Sequence, residues 1–228
     1  MKKNNIIKIM SLLLSLFVMY FIYIENQDTD YISYAISNIP EYNGENYVII
    51  DDNIPNFDED LINTNSFESY SELDSLNRCG PALANISNDL MPTEKRDSIG
   101  MIKPSGWHTI KYDFIDGKYL YNRCHLIGYQ LTGENANEKN LITCTRQMNT
   151  STMLDYENMV ANYIKKTNNH VLYRVTPYYE NDNLLASGVQ MEGLSIEDNG
   201  QGIKFNIYIY NVQDGVTIDY KDGSSKLS

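Results

Sequence analysis

Residues 121–149 read YNRCHLIGYQLTGENANEKNLITCTRQMN, and the fold turns on how this stretch is laid out. Tyr121 to Leu126 has the composition of a strand, and Leu141-Ile142-Thr143-Cys144-Thr145 is a second short one. Side chains alternate along a strand with period two, so Arg123 and His125 project from one face and put a cation beside an imidazole. Between the strands lies a polar connection with Gly133, Asn135, Asn137 and Asn140. Asn149 follows the second strand, just ahead of a helix that carries Glu157. The order is strand, loop, strand, helix, with polar groups at both ends, and it can bring an imidazole and a metal ligand together.

The helix is expected over Leu154 to Lys166. Leu154, Met159, Val160, Tyr163 and Ile164 fall largely on one side, Asp155 and Glu157 occupy the first turn, and Lys165 and Lys166 the last. Upstream, Gly106 to Tyr112 reads as a strand joined to Leu120–Leu126 through an Asp116-Gly117 turn. Downstream, His170 to Pro177, Leu184 to Leu194 and Ile203 to Val212 alternate as three antiparallel strands, with turns at Asn199-Gly200 and Asp214-Gly215. Nearer the N-terminus, Tyr47 to Ile50 looks like a short strand and Asp60 to Leu76 a loose helix. There is no internal repeat and no long low-complexity tract. The class that fits is α+β with a central antiparallel sheet.

The chain has 228 residues and a net charge of −12. That length supplies one substantial core after a hydrophobic N-terminal segment. An acidic balance argues against a polyanionic partner, because phosphate binding is driven by Lys and Arg. The distribution reverses this. No Lys or Arg occurs from Glu25 to Asn77, whereas Lys95 to Arg174 is rich in both, which gives an acidic protein a locally basic face. Three divisions follow: a signal peptide or membrane anchor over 1–26, an acidic N-terminal arm over 27–77, and a catalytic domain over 78–228. The first rests on Lys2, Lys3 and Lys8 preceding the apolar run Ile9–Ile24, with acids after it. Cys79, Cys124 and Cys144 allow one internal disulfide and three pairings.

Taken together, Arg78-Cys79-Gly80, Met91-Pro92-Thr93-Glu94, Lys103-Pro104-Ser105-Gly106-Trp107-His108, the 121–149 block and Tyr173-Arg174-Val175-Thr176 resemble the DNA/RNA non-specific endonucleases. These are ββα-metal, or His-Me finger, nucleases, and the likeness extends to the DNA-entry nucleases and secreted DNases of Gram-positive bacteria. The family motif Arg-Gly-His stands here as Arg123-Cys124-His125, Cys144 replaces a frequent Gly, and Gln147 an aromatic residue. The resemblance implies a sequence-non-specific endonuclease that hydrolyses DNA, and RNA as a second substrate, leaving 5′-phosphate ends. It makes His125 the general base, Asn149 the protein ligand of a single Mg²⁺ (or Mn²⁺), and Glu157 a catalytic group that holds the metal's waters. Asn140 matches a family Asn beside the site and joins the substrate-binding set. The resemblance also favours a Cys79–Cys124 disulfide, with Cys144 as an extra. A monomer acting outside the cell or on the outer membrane face is implied, with nucleic acid, the membrane and an inhibitor protein as partners.

The chemistry suits these residues. An imidazole deprotonates water near neutral pH, while a hard cation and a guanidinium neutralise charge on the phosphate. Arg123, Arg146 and Arg174 are the candidates to hold the phosphate by paired hydrogen bonds, with Arg123 first because it shares a strand face with His125. Singly, Asn149 would be a helix cap and Glu157 a first-turn acid; His108 and His170 read as structural. The competing reading is a catalytically inactive nucleic-acid-binding or DNA-uptake protein of the same fold, which would need neither base nor metal. A thiol enzyme built on Cys124 is disfavoured, because adjacent strand residues point to opposite faces. A three-His zinc hydrolase lacks the necessary ligand spacing.

Overall fold

The structure, a computed structural model, describes residues 13–20 and 39–228. Two units separate, Met1–Pro40 and Glu41–Ser228. In the first, residues 13–20 form a helix, α1, with every side chain exposed; the remainder of the 1–26 segment lies outside the described residues. Among the described residues no helix is long and apolar enough to cross a membrane.

The second unit is built on a six-stranded antiparallel sheet in the order β1-β8-β7-β6-β3-β2. Its centre consists of β6 (Val171–Tyr178), β7 (Gly188–Ser195) and β8 (Lys204–Tyr210), the three alternating strands expected near the C-terminus. The Asn199-Gly200 turn is present, with both residues at positive φ. β3 (Ala82–Ile86) is almost wholly buried, a central strand that no alternation announces. The stretch expected to be helical over 60–76 instead holds a 3-10 turn at Glu59–Leu61 and the strand β2 (Phe67–Tyr70). β2 is fixed by its register, Phe67 opposite Asn85 and Tyr70 opposite Ala82. The buried Asn85 amide donates to the carbonyls of Asn63 and Asn65 (2.6 and 3.0 Å), which anchors the approach to β2. At the other edge, β1 (Tyr47–Ile49) pairs with β8.

One face of the sheet carries the main core. Tyr173 and Val175 of β6 and Phe205, Ile207 and Ile209 of β8 pack there with Val160, Ala161 and Ile164 of helix α4 (Leu154–Thr167). Tyr156 lies edge-on to Phe205 at 4.7 Å. The helix ends on Asn168 in the left-handed region, whose N–H returns to the Ile164 carbonyl, with Lys165 and Lys166 in the last turn. Leu154 and Met159, counted on the buried side by periodicity, are exposed. The opposite face carries a smaller cluster around Phe57, Leu172 and Ile196.

The decisive stretch folds into a separate two-stranded ribbon, β4 (Tyr121–His125) with β5 (Leu141–Thr145), in a register that sets His125 opposite Leu141. Two short helices follow their strands, α2 (Tyr129–Thr132) and α3 (Arg146–Met148). Asn211, after β8, clamps ribbon to sheet: its Oδ1 accepts from Thr145 N–H at 2.9 Å and its Nδ2 donates to the Ala186 carbonyl at 2.9 Å. Gly106–Tyr112 is not a strand. Pro104 and Gly106, at φ +63°, make a turn, and pairing survives only as a bridge from Lys111 to Tyr119 around the Asp116-Gly117 turn. A third sheet, two-stranded like the ribbon, pairs β9 (Val216–Ile218) with β10 (Ser225–Leu227).

The cysteine pairing differs from expectation. Cys124 is bonded to Cys144, with Cα atoms 5.9 Å apart, and Cys79 is a buried free thiol. The register explains it: Cys124 faces Ile142 and Cys144 faces Asn122, so the two cysteines are diagonal neighbours on one side of the ribbon. The Cys79 thiol instead donates to the carbonyls of Glu138 and Leu141, and burial pushes it up to about 12. Oxidation of Cys124 also removes the thiol-enzyme reading.

Candidate active site

A cavity of about 600 Å³ opens between the start of the ribbon and the start of α4, and His125, Arg123, Arg146, Asn149 and Glu157 all line it. Five of the seven residues singled out from the sequence are thus brought together. The imidazole of His125 is 6% exposed. Its Nε2 stands 2.8 Å from the Asn135 carbonyl, an acceptor only, so Nε2 carries the proton and Nδ1 presents a lone pair. Nδ1 faces the Arg96 guanidinium at 3.4 Å. Desolvation, reinforced by the Arg96 charge and opposed by the Asn135 hydrogen bond, lowers the imidazole to about 4, which keeps it neutral at physiological pH.

Asn140 stands behind the site rather than in it. It is fully buried; its Oδ1 accepts from Ile127 N–H (2.9 Å) and its Nδ2 donates to the Ile127 carbonyl (3.0 Å). Its own carbonyl takes Leu126 N–H at 2.9 Å, so it pins the chain leaving β4 and thereby His125. Arg174 is not in the cavity either. It faces the sheet side opposite α4, because Tyr173 and Val175 take the core face. There it bonds the buried Glu192 carboxylate and the Asn56 carbonyl at 2.7 and 2.6 Å. Of the substrate-binding set, these two side chains are therefore not among those lining the cavity.

Arg123 reaches the cavity as expected, yet its Nε and Nη2 donate to the carbonyls of Ile102 and Gly100, and its guanidinium lies 3.9 Å from the centre of the Trp107 ring. Arg146 opens α3 and donates to Asp116 at 2.8 Å, while its buried Nε has no hydrogen-bond partner among the described residues. Asn149 begins a π-turn, Asn149–Met153, between α3 and α4. The hydroxyls of Thr150 and Ser151 bond back to the Arg146 and Gln147 carbonyls at 2.8 and 2.5 Å, competing with the main chain there. The cap of α3 is Thr145, which accepts from Met148 N–H. Asn149 therefore caps no helix N-terminus with its side chain; its backbone N–H closes α3 on the Arg146 carbonyl, and its side-chain amide makes no hydrogen bond among the described residues.

Glu157 is half-buried and sits against Gly128, where an added Cβ would come within 2.7 Å of its Oε1. Desolvation raises this carboxyl to about 7, against the lowering effects of the Gln130 amide and the Arg96 charge. Together, Asn149 and Glu157 offer a neutral and an acidic oxygen donor over a cradle that only glycine leaves open. That donor set fits a hard cation which keeps most of its waters. Among the described residues no three His, Cys, Asp or Glu side chains cluster as metal ligands. His170 pairs with Glu197 (2.7 Å) and His108 with the Asp222 carbonyl (2.9 Å).

Sequence reasoning missed Arg96, Gly128 and the Asn135 carbonyl. Arg96 lies 29 residues from His125 in a segment without regular structure, and a carbonyl leaves no mark in sequence. Gly128 left only its identity in the sequence: in the structure its φ of −59° suits any residue, so the glycine answers to Glu157 and not to a turn.

A strand ribbon and helix around a tautomer-fixed imidazole and an oxygen-donor cradle is the arrangement of a ββα-metal nuclease. A sequence model of the DNA/RNA non-specific endonucleases matches residues 59–196, and the chain belongs to that family. Its structure is similar to NucA from Streptococcus agalactiae with magnesium bound (TM-score 0.73, 25% identity, 85% of this chain and 93% of that one). It is also similar to Sda1 nuclease with bound zinc (TM-score 0.60, 28% identity, 71% and 81%). An extracellular endonuclease shares the fold at 19% identity (TM-score 0.57, 82% and 100%). The chain is accordingly a nuclease, a hydrolase acting on nucleic acid.

Proposed function

We propose that this nuclease cuts DNA, and RNA as a second substrate, without sequence preference, using His125 as general base and a divalent cation held through Asn149 and Glu157. The observation that carries the reading is the His125 tautomer, since the Asn135 carbonyl leaves Nδ1 as a lone pair inside the cavity. Nδ1 takes a proton from a water, which attacks phosphorus and releases the 3′ oxygen, leaving a 5′-phosphate end. The low value has two causes, burial and Arg96. An incoming phosphate draws the Arg96 charge and brings its own negative charge, so the working value lies higher and the base is stronger. Arg96 and Arg146 face the phosphate, whereas Arg123 shapes the wall by bracing the Gly100–Ile102 carbonyls against Trp107.

A bound Mg²⁺, as in the NucA structure, or Mn²⁺ would supply positive charge to the developing phosphate and to the departing oxygen. Asn149, being neutral, would leave that charge undiminished, and Glu157 would hold the surrounding waters. The extracellular nucleases among the similar structures, and the Lys residues ahead of the apolar run in the 1–26 segment, support action outside the cell or on the outer membrane face; we read the protein as a monomer, with an inhibitor protein as its partner in the producing cell. The test is plasmid cleavage with Mg²⁺ and with EDTA, by the wild type and by His125→Gly. Cleavage only by the wild type with Mg²⁺ supports the reading. A wild type that binds plasmid and never cuts it would instead support the inactive nucleic-acid-binding alternative.

A further inference from the structure

The geometry points to a nucleobase subsite at Tyr119, on the wall of the same cavity, that takes one unpaired base next to the bond being cut. It rests on the nuclease reading and specifies which part of the substrate the site grips beyond the phosphate. Four aromatic residues line the cavity: Trp107, Tyr119, Tyr121 and Tyr129. Three are already engaged. Arg123 lies over the Trp107 ring, the Tyr121 hydroxyl donates to the buried Gly223 carbonyl at 3.0 Å, and the Tyr129 hydroxyl donates to the Glu94 carbonyl at 2.9 Å. Tyr119 makes no hydrogen bond through its hydroxyl among the described residues and is 46% exposed, although the Lys111 ammonium sits 4.6 Å from its ring centre.

The turn that displays Tyr119 is held from several sides. Tyr112 N–H donates to the Lys118 carbonyl (2.9 Å), Leu120 N–H to the Ile110 carbonyl (3.0 Å), and Ile115 is buried in the second apolar cluster. Asp116 is tied to Arg146 at 2.8 Å, so the turn is linked directly to a cavity residue. An exposed aromatic ring on a braced turn loses little freedom on binding, and any base can stack on it, because every base has a π-face. Lys111 adds a cation for the adjoining phosphate. A base inside a duplex is stacked on both faces, so only an unpaired, terminal or extruded base can use Tyr119. The expected substrate bias is towards single strands and distorted duplexes.

The test compares wild type, Tyr119→Ala, Tyr119→Phe and Tyr119→Leu on a labelled single-stranded oligonucleotide and on its counterpart with abasic residues flanking the cleaved bond. Cleavage is followed with Mg²⁺, and binding by anisotropy in EDTA. Tyr119→Ala should raise KM and Kd for the normal strand about tenfold with kcat little changed. Tyr119→Leu should match it and Tyr119→Phe stay within about twofold of wild type; on the abasic strand all four should agree. Wild-type affinity in Tyr119→Ala or Tyr119→Leu, or an equal loss on the abasic strand, overturns the subsite. A wild type that binds with this Tyr119 dependence in EDTA yet never cleaves would overturn the nuclease reading and leave the subsite standing.

Discussion

The Cys124–Cys144 bond closes a sequence separation of 20 residues and staples the two strands that carry the site. Chain-entropy arguments assign such a loop about 3 kcal/mol of stabilisation. Both side chains are fully buried in the main core, so replacing both by Ala also forfeits apolar burial, about 1 kcal/mol for each sulfur. The double variant Cys124→Ala/Cys144→Ala should lose about 5 kcal/mol in all. For a unit the size of Glu41–Ser228, where each kcal/mol moves Tm by about 2–4 °C, that is a fall of about 10–20 °C by circular dichroism. Cys79→Ala removes only a buried thiol and its hydrogen bonds to two carbonyls, and should cost a few degrees. Activity of the double variant well below its melting point should stay within several-fold of wild type, because the ladder still sets His125 opposite Leu141. A non-reducing peptide map that links Cys79 to Cys124 would refute the pairing. So would Cys79→Ala melting as low as the double variant.

Further outcomes follow from the site. His125→Gly should cut cleavage by at least about a hundredfold while DNA affinity stays within a few-fold, and added imidazole should restore part of the rate; parental cleavage would dismiss His125 as the base. Asn149→Ala should shift the Mg²⁺ concentration giving half-maximal rate upward by an order of magnitude or more, and an unshifted titration would remove Asn149 from the cation's ligands. Arg174→Ala takes the cation from the buried Glu192 carboxylate, leaving it the Asn56 N–H, and should cost about 3 kcal/mol in urea unfolding. It should leave KM for DNA unchanged, whereas a raised KM in a stable variant would return Arg174 to the substrate. The His125 value is lowered in the folded state, to about 4 from 6.5, so the unfolded chain binds more protons between those values. Its contribution of about 3 kcal/mol is therefore fully present above pH 6.5 and lost as pH falls towards 4, measured as a gap in unfolding free energy that His125→Gln should not show.

The ribbon, α4 and β6 to β8 were legible because each has one dominant period that tertiary structure reinforces: 2.0 residues where alternate side chains enter the core, 3.6 where Val160, Ala161 and Ile164 do. β3 was not, because Ala82–Ile86 is buried on both faces and carries Asn85 inside, so alternation disappears. Gly106–Tyr112 misled for the opposite reason. It has strand composition, but the turn made by Pro104 and Gly106 directs the chain across the cavity mouth, where Trp107 is needed under Arg123.

Period-two reasoning did place Arg123 beside His125, and the same logic contained the two corrections to the arginines and cysteines. Alternation along β6 sends Arg174 away from the face that Tyr173 and Val175 share with α4. Along the ribbon, Cys124 and His125 must point to opposite sides, which commits Cys124 to whatever residue of β5 lies diagonally behind the site. Only the register decides that this residue is Cys144, and register depends on the loop between the strands. That loop is closed by Asn140 clasping Ile127 and by Asn135 accepting from His125. The loop residues Asn135 and Asn140, which looked like simple connection, thus bear on the strand pairing, the disulfide and the tautomer of the base together. A one-residue change in loop length should accordingly disturb all three before it disturbs the six-stranded sheet.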